Sequence, residues 1–559
     1  MTTLDWAVLF AWLILLVGYG LWRGRGSNTV NQYLLAGKTM PWYAMGLSIM
    51  ATQASAITFI STTAQAYTDG MRFVQFYFGL PIAMVILSQT AVPIFHRAKV
   101  YTAYEYLEKR FDAKTRALLT LIFLISRCTQ SGVALAAPSI ILSVILGWPF
   151  QLTTILMGGL VILYTASGGI KAVTWADVQQ MAVIMASLVL ALVVAIMLLP
   201  HDISFLDAVR LAGAAGKLNV IQTKFDWNDR YNLWTGLIGA TFLMLAYFGT
   251  DQSQVQRYLT GRSIGQSRLS LLFNAVAKVP MQFFILFIGA MVFVLFVFVQ
   301  PPLVFQPLDM QRLEKMREYP ALQARHNQAF EQRREAAREL KDARGPAARS
   351  AALAGFRSAQ AQMDAAHREA LKLTGENDTN YIFLSFVTRY LPRGIVGLVL
   401  GVIFTAAMSA ISGEINSLAT VTVVDVYRRH IRPDGTDRHY LMASRAATVL
   451  WGAYAIAFAA VFARGFGALI EAVNQVGSYF YGTMLGVFVL AFFVKRVNGN
   501  GAFFGAIAGE GAIVLASRFT SAYLWYNVAG CLVTILVALI VSGFSGPHRA
   551  GERDLSRSA

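Results

Sequence analysis

Charged residues are scarce in this sequence. Asp, Glu, Lys and Arg make up 14% of its 559 residues, whereas a soluble domain carries about 25%, and hydrophobic residues account for 56%. This balance excludes both an ordinary soluble protein and a disordered one. The apolar residues form runs of about 20, enough to cross a hydrocarbon core of about 30 Å, without the two-residue alternation of barrel strands. The sequence therefore predicts an all-α polytopic membrane protein.

Cysteine and histidine are also rare, with two and seven residues. Cys128 and Cys531 fall inside apolar segments, so we expect free, packed thiols rather than a disulfide framework or a zinc site. The histidines show no metal-ligand spacing. A Walker phosphate-binding loop, a nucleophile elbow and a catalytic triad are all missing from the sequence. An ATP-driven pump is therefore not predicted, and neither is an enzyme or an organic cofactor.

Positive charge exceeds negative charge, giving a formal net charge of +17. The basic residues sit mostly in short loops between apolar segments, as in 97–110 and 428–432, where they set membrane topology. No nucleic-acid partner is therefore predicted. Alternating the loops places the N-terminus outside and the C-terminus in the cytoplasm, and we expect a bacterial-type inner membrane. The apolar runs number about 13, at 6–22, 41–66, 72–96, 115–146, 150–168, 172–199, 231–257, 265–300, 393–427, 440–464, 466–494, 499–518 and 523–543.

Three of these segments carry polar and small residues in their middle, at 48–67, 247–257 and 405–417. Small residues allow helices to pack closely, but three such segments together favour a polar cavity between helices. The segments at 41–66 and 231–257 each open a set of five. Two corresponding interrupted helices indicate an inverted-repeat transporter, in which freed carbonyl groups can coordinate Na⁺.

This arrangement gives a division of the chain into eight parts. They are an N-terminal helix and cytoplasmic loop at 1–40, a first five-helix repeat at 41–199, an external loop at 200–230, the start of a second repeat at 231–300, a charged helical external insertion at 301–379, the rest of the second repeat at 380–495, two peripheral helices at 496–545 and a cytoplasmic tail at 546–559. The insertion has the composition of a helical hairpin broken near Gly345-Pro346.

Ionisable residues inside apolar segments are costly unless they are paired or functional. The sequence places five there: Arg127, Asp177, Asp251, Lys278 and Glu414. An ion pair between Arg127 and Glu414 that stabilises packing is one interpretation, and a substrate or cation role for either is the other. Asp177 and Asp251 lie nearer the ends of their segments, where a solvated or capping role is equally consistent.

At several motifs the chain resembles the sodium/solute symporter family, which includes the sodium–glucose, proline, sialic acid, iodide and monocarboxylate symporters. The motifs are 37–42 (GKTMPW), 48–70, 101–111 (YTAYEYLEKRF), 168–178 (GGIKAVTWADV), 250–258 (TDQSQVQRY), 416–425 (NSLATVTVVD) and 495–503 (KRVNGNGAF). The resemblance covers roughly 5–300 and 380–545. It implies the five-plus-five inverted-repeat fold of LeuT-type transporters and alternating access driven by a Na⁺ gradient, without covalent chemistry.

The same resemblance implies a sodium site. The carbonyl groups of Ala51, Ala54 and Ala406 and the hydroxyl of Ser409 match the family's ligands. The neighbouring position, where the family usually has a second hydroxyl, is Ala410. For a second cation, Asp177 and Ser412 match ligand positions, Glu414 adds a nearby carboxylate, and Gly413 replaces an expected hydroxyl.

The resemblance and the polar segments also give a set of candidate substrate contacts. They are Gln53, Thr58, Tyr77, Arg127, Asp251, Gln252, Lys278, Asn474 and Gln475. Tyr77 stands where the sugar-transporting members have a glutamate that accepts hydrogen bonds from the ring hydroxyls, which argues against hexose. Arg127 and Lys278 together can attract a carboxylate, so a small organic anion is favoured over a sugar or polyol.

The leading hypothesis is a sodium-coupled symporter that imports a small polar organic solute, with Na⁺, the solute and membrane lipid as its partners. A proton-coupled carrier on the same fold is an alternative, since Glu414 and Asp177 can carry protons. A transporter-like sensor is a further alternative. The insertion at 301–379 is interpreted either as a solvated spacer or as a docking site for a protein partner.

Overall fold

The computed structural model describes residues 1–24, 29–375, 377–462 and 469–544. The predicted tail at 546–559 and part of the predicted N-terminal loop lie outside these residues. Within them the chain is helical, and the only strand-like pairing is an isolated bridge between Met40 and Gly261. The fold class predicted from the sequence is confirmed.

The first part of the chain forms ten helices before the loop around residue 220. They are α1 (Thr3–Gly24), α2 (Val30–Leu35), α3 (Trp42–Gln53), α4 (Thr63–Asp69), α5 (Gly79–Gln89), α6 (Ala91–Ala98), α7 (Ala103–Arg110), α8 (Ala113–Leu146), α9 (Phe150–Met197) and α10 (Phe205–Ala214). A π-helical turn at Thr58–Thr62 precedes α4, and a 3₁₀ helix at Met71–Tyr77 precedes α5.

The second part of the chain forms twelve helices among the described residues. They are α11 (Ala240–Gly249), α12 (Gln252–Leu259), α13 (Ile264–Phe298), α14 (Pro307–Leu313), α15 (Tyr319–Asp342), α16 (Pro346–Thr374), α17 (Ile382–Tyr390), α18 (Ile395–Val421), α19 (Asp437–Phe462), α20 (Leu469–Phe493), α21 (Gly499–Phe519) and α22 (Leu524–Phe544). A π-helical turn at Thr235–Gly239 leads into α11, and another at Thr422–Ile431 extends α18.

Both interruptions predicted from the sequence are present. Helix α3 ends at Gln53, and the following helical stretch at 58–69 is bent from it by 61°. Ala54 leaves the helical conformation with φ −93° and ψ 50°. Helix α11 ends at Gly249, and α12 starts three residues later at Gln252, capped by the side chain of Asp251. Because the last carbonyl groups of a helix lack intrahelical partners, each break leaves polar backbone inside the protein.

Helix α9 differs from the sequence-based expectation of two segments separated near Lys171. Its helical bounds run through 48 residues, which would be about 72 Å long if straight, more than twice the hydrocarbon thickness. It contains two apolar portions, Phe150–Leu163 and Ile170–Met197. They correspond to the two predicted segments, but a helical connection replaces the predicted loop.

Nine helices of the described chain are long and apolar enough to span a membrane, and the bent pair α3–α4 adds a tenth. Three shorter apolar helices, Thr3–Leu16, Phe150–Leu163 and Thr235–Gly249, lie where the sequence predicts the other three spans. The total of 13 spans stays a prediction.

The charged insertion forms a helical hairpin. Helices α15 and α16 pack against each other, and Gly345 turns the chain between them with φ +90° just before Pro346. Arg333 of α15 is buried and donates a hydrogen bond from Nη2 to the carbonyl of Phe296 near the end of α13. Lys341 donates to the carbonyl of Asp202. The hairpin therefore lies on one end of the helical bundle rather than projecting free of it.

Candidate ion and substrate site

The carboxylate of Asp177 joins four helices in the interior. Asp177 lies on α9 and is fully buried. Its Oδ2 accepts hydrogen bonds from Ser48 Oγ of α3 at 2.5 Å and from Arg257 Nη1 of α12 at 2.8 Å. Its Oδ1 accepts a hydrogen bond from Ser409 Oγ of α18. The two broken helices, α3 and α12, are thus tied to the same acidic side chain.

Arg257 supplies the positive charge beside Asp177. Its side chain is 1% exposed, and a hydrogen bond also joins its Nη1 to Ser48 Oγ. A Cβ atom on Gly413 would collide with Arg257 Nη2. The glycine that departs from the family pattern therefore makes room for this guanidinium. A buried carboxylate needs a partner cation, and here a side chain of the same protein provides it.

The predicted second-cation set is divided between two places. Asp177 pairs with Arg257, whereas Glu414 Oε1 accepts a hydrogen bond from Arg127 Nη1 at 3.1 Å. The hydroxyl of Ser412 is buried and has no hydrogen-bond partner among the described residues. A second cation held by Asp177, Ser412 and Glu414 therefore stays a prediction, in which the ion would compete with Arg257 for Asp177 and with Arg127 for Glu414.

The predicted sodium ligands lie on α3 and α18, which contact each other. Ala51 is in the last turn of α3 and Ala54 directly follows that helix. Ala406 and Ser409 are buried on α18, and because they are three residues apart they share one face of it. The end of a helix, with its unpartnered carbonyl groups and negative partial charge, can coordinate a cation.

A second charged cluster surrounds Arg127 of α8. Besides Glu414, its guanidinium contacts Asp251, which accepts a hydrogen bond from Nη2. Tyr481 Oη also accepts from Nη2, at 2.8 Å, and donates to Gln130 Oε1 at 3.0 Å. The predicted Arg127–Glu414 ion pair is therefore present, with Asp251 as a second carboxylate. The cluster has one cation and two carboxylates, and Nε of Arg127 has no partner among the described residues.

A cavity of about 90 Å³ lies beside the Arg127 cluster and has room for a few water molecules. Its walls include four of the predicted substrate residues together with Glu414: Gln53, Tyr77, Arg127 and Asn474. Both amide atoms of Gln53 and Oε2 of Glu414 are buried without a hydrogen-bond partner in the described chain. A solute placed there would meet unsatisfied donors and acceptors at the break in α3.

The other predicted substrate residues do not line this cavity. Thr58 donates from its hydroxyl to the carbonyl of Gln53 at 2.6 Å. Asp251 is occupied by Arg127 and by capping α12. The Nζ atom of Lys278 lies 5.7 Å from the ring centre of Tyr77, and Gln475 is not among the lining residues.

Gln252 requires a correction, because its side chain holds two elements together instead of facing the cavity. Its Oε1 accepts a hydrogen bond from the backbone N–H of Ala103, and its Nε2 donates to the carbonyl of Tyr101, both at 2.9 Å. These bonds attach α12 to the start of α7 and use both ends of the amide.

Sequence reasoning missed four contributors to the two clusters: Ser48, Gln130, Arg257 and Tyr481. Arg257 carried a signal, since it is a charged residue in the motif at 250–258 and ends the apolar segment predicted at 231–257. Tyr481 carried no such signal, because a buried tyrosine is ordinarily a packing residue. Only the crossing of α8, α12, α18 and α20 brings its hydroxyl to Arg127.

Two interrupted helices that open two sets of helices, with charged and polar side chains gathered at their breaks, define a cation-coupled secondary transporter of the LeuT-type fold. The profile of the sodium:solute symporter family matches residues 33–308 and 355–509. The chain therefore belongs to the sodium:solute symporter family and is a sodium-coupled symporter. The family consists of transporters rather than enzymes.

Individual relatives agree with this membership over nearly the whole chain. The sodium/sialic acid symporter of Proteus mirabilis (strain HI4320) is 26% identical over 100% of this chain and 98% of its own length. The human sodium-coupled monocarboxylate transporter 1 is 26% identical over 90% of this chain and 72% of its own. A solved Na⁺-coupled sialic acid symporter, in a substrate-bound outward-open state, has a TM-score of 0.74 at 25% identity and covers 98% of this chain and 99% of that one.

The Arg127 cluster predicts a large effect of Asp251→Asn. Removing one partner of a buried ion pair costs about 3–5 kcal/mol, and Glu414 and Tyr481 offset part of that loss here. We expect Asp251→Asn to lower the apparent melting temperature of the purified protein clearly. The matched control is Asp69→Asn, because Asp69 pairs with Arg72 at 2.8 Å where both side chains are about one third exposed. Such pairs contribute about 1 kcal/mol or less. Equal melting temperatures for the two variants would contradict the role assigned to Asp251.

Proposed function

We propose that the protein imports a small organic solute carrying a carboxylate, together with Na⁺, across a bacterial-type inner membrane. The observation that carries this proposal is the guanidinium of Arg127 in the wall of a buried cavity at the break of α3. Arginine matches the planar geometry of a carboxylate better than any other side chain. No covalent step is involved, so the proposal assigns transport and no enzymatic activity.

The relatives support a carboxylate cargo. By their names, they transport sialic acid or monocarboxylates, and another relative, the human sodium/iodide cotransporter, transports a different anion. In this chain the free Nε of Arg127 offers a donor to an incoming carboxylate. The amide of Gln53 and the free oxygen of Glu414 can bind hydroxyl or N–H groups on the rest of the solute.

The proposed sodium ligands are the carbonyl groups of Ala51, Ala54 and Ala406 and the hydroxyl of Ser409. An ion at this place would hold the end of α3 against α18, directly beside the segment that carries Gln53. Sodium binding would thereby order one wall of the cavity and raise the affinity for the solute. By linkage, the solute raises the affinity for sodium equally, with an ordinary coupling of about 1–3 kcal/mol.

We also propose that one sodium ion is bound rather than two. Arg257 already neutralises Asp177, and Gly413 supplies no hydroxyl oxygen where the family can have one. A second cation beside Asp177 would have to displace a buried guanidinium. Ala410 removes a further hydroxyl from the remaining site, and the unpartnered hydroxyl of Ser412 is the nearest substitute in sequence.

The proposed orientation places the N-terminus and the hairpin of α15 and α16 outside the cell and the C-terminus in the cytoplasm. Basic residues near the ends of apolar segments support it, including Lys109 and Arg110 in the last turn of α7 and the group at 428–432 at the end of the extension of α18. Lipid covers the apolar outer faces of the spanning helices. Binding of a protein partner by the hairpin stays a prediction.

Proton coupling is the second candidate, and Glu414 is the observation that favours it. This carboxylate is buried, with one oxygen bonded to Arg127 and the other unpartnered, so it can exchange a proton when the cavity opens. We favour Na⁺ over a proton as the coupling ion, because the carbonyl groups at the end of α3 suit Na⁺.

Uptake into proteoliposomes distinguishes the two ions. We expect an inward Na⁺ gradient at equal pH to drive accumulation of a radiolabelled monocarboxylate from a panel of acetate, pyruvate and benzoate. An inward proton gradient without Na⁺ should produce no accumulation above empty liposomes. Accumulation driven by the proton gradient alone would replace the sodium proposal with the proton-coupled one. Accumulation of labelled hexose but none of the carboxylates would overturn the cargo proposal.

If Ser409 is a sodium ligand, Ser409→Ala should lower the affinity for Na⁺ much more than it lowers the amount of expressed protein. Loss of one neutral oxygen ligand should raise the Na⁺ concentration for half-maximal uptake about tenfold, equivalent to about 1.4 kcal/mol. Ser417→Ala is the matched control, because Ser417 is a buried serine on the same helix whose hydroxyl donates to the carbonyl of Glu414 at 2.7 Å. Wild-type Na⁺ dependence in Ser409→Ala would show that the ion site is assigned wrongly.

A further inference from the structure

A second cavity lies between the hairpin and the end of the helical bundle, away from the Arg127 cluster. Its volume is about 430 Å³, within the range of small-molecule sites. The hairpin contributes one wall, and α4, α13 and the loop after α10 contribute the other. The family profile leaves residues 309–354 unmatched, and this stretch contains all of α15.

Basic side chains outnumber acidic ones in this cavity. Its basic side chains, apart from histidine, are Lys217, Arg333, Arg357 and Arg368. Within the described ranges, none of these four has a carboxylate oxygen within 4.0 Å. Uncompensated positive charge at a partly enclosed surface attracts an anion.

The two acidic side chains of the cavity already have partners. Asp378 accepts a hydrogen bond from the backbone N–H of Phe305 at 2.6 Å and lies 3.2 Å from His367 Nε2. Burial lowers the pKa of His367, but the hydrogen bond and charge of Asp378 outweigh it and raise this pKa to about 9, so the imidazole is protonated at neutral pH. Asp364 accepts a hydrogen bond from Gln360 Nε2 at 2.7 Å. Neither carboxylate forms a close ion pair with the arginines, and Asp364 attracts Arg333 only from beyond 4.0 Å.

Two buried side chains of α15 face this cavity with unsatisfied nitrogen atoms. Arg333 is 1% exposed and His326 is 2% exposed. Arg333 uses Nη1 for Gln360 and Nη2 for the carbonyl of Phe296, but its Nε has no partner in the described chain, and neither has His326 Nδ1. A buried donor without an acceptor costs about 1–3 kcal/mol, and an oxyanion bound at Arg333 Nε would remove that cost.

The remaining lining indicates an organic rather than an inorganic anion. Aromatic rings of Tyr67, Phe293, Phe305 and Phe356 border the same space. The Tyr67 ring packs edge-on against Phe293 and Phe305, with centroids 5.6 and 5.9 Å apart. An organic carboxylate bound here would place its carboxylate against Arg333 and its apolar body against these rings.

We propose that this cavity is a second binding site, specific for small organic carboxylates and separate from the transport cavity. Tyr67 belongs to α4, the far half of the first broken helix. A bound carboxylate would therefore contact α4 on the side that faces the hairpin of α15 and α16. The site depends on neither the proposed cargo nor the proposed sodium ligands.

Equilibrium dialysis of the purified full-length protein with radiolabelled acetate, pyruvate and benzoate tests the site. The buffer contains choline in place of Na⁺, so that sodium-dependent binding in the transport cavity is suppressed. We expect saturable binding of at least one of these carboxylates, with the affinity about tenfold lower in Arg333→Gln because a charge-assisted hydrogen bond is lost. The matched control is Arg325→Gln on the same helix, since Arg325 is more than half exposed and pairs with Glu369; its affinity should stay unchanged.

A second variant tests the same cavity if Arg333→Gln fails to fold. Arg357→Gln combined with Arg368→Gln removes two exposed cations of the cavity, and it should also weaken binding. If none of the three carboxylates binds saturably, or if both cavity variants bind as the wild type does, the proposal is wrong. Displacement of the bound carboxylate by equimolar sulfate would also overturn it, because the site would then accept any oxyanion.

Discussion

The carboxylate of Asp177 is the constraint on which the interior of this protein depends. A charge buried this deeply is tolerated only with hydrogen bonds and a counter-charge, and three elements besides its own helix supply them. Ser48 comes from α3, Arg257 from α12 and Ser409 from α18. Any rearrangement that separates the two broken helices must break or exchange these contacts. The proposed sodium ligands lie on two of the same helices, so ion binding and helix position are physically linked.

The two charged clusters differ in their balance of charge. Around Asp177 positive and negative charges are balanced, with one guanidinium facing one carboxylate, which suits a structural link with one adjacent ion site. Around Arg127 they are not, because two carboxylates share one guanidinium and several polar atoms of the cavity are unpartnered. Unsatisfied groups in a water-sized cavity can be compensated by solvent when the cavity is empty and by solute when it is filled. The unpartnered Nε of Arg127 is the donor that the proposed carboxylate cargo would use.

Much of the fold could be predicted from the sequence because its signals are local. Runs of apolar residues indicate the spans, polar residues at 48–67 and 247–257 indicate the breaks, and Gly345-Pro346 indicates the turn of the hairpin. The Arg127–Glu414 pair was also accessible, since each charge needed a partner within the membrane. Gln252 and Arg257 show where such reasoning ends. They lie five residues apart in one motif, yet the amide of Gln252 bonds to the backbone at the start of α7, whereas the guanidinium of Arg257 bonds to Asp177. Only the packing of distant helices decides between these roles.

In the proposed mechanism one sodium ion binds between the end of α3 and Ser409, because Arg257 takes the place of a second cation beside Asp177. Counting bound ions with radioactive ²²Na⁺ on the purified protein, in the presence of a transported solute, distinguishes one bound ion from two. We expect saturation at one ion per chain, with the ion bound about tenfold more weakly in Ser409→Ala. Saturation at two ions per chain would show that Asp177 accepts a cation despite Arg257, and it would contradict the account.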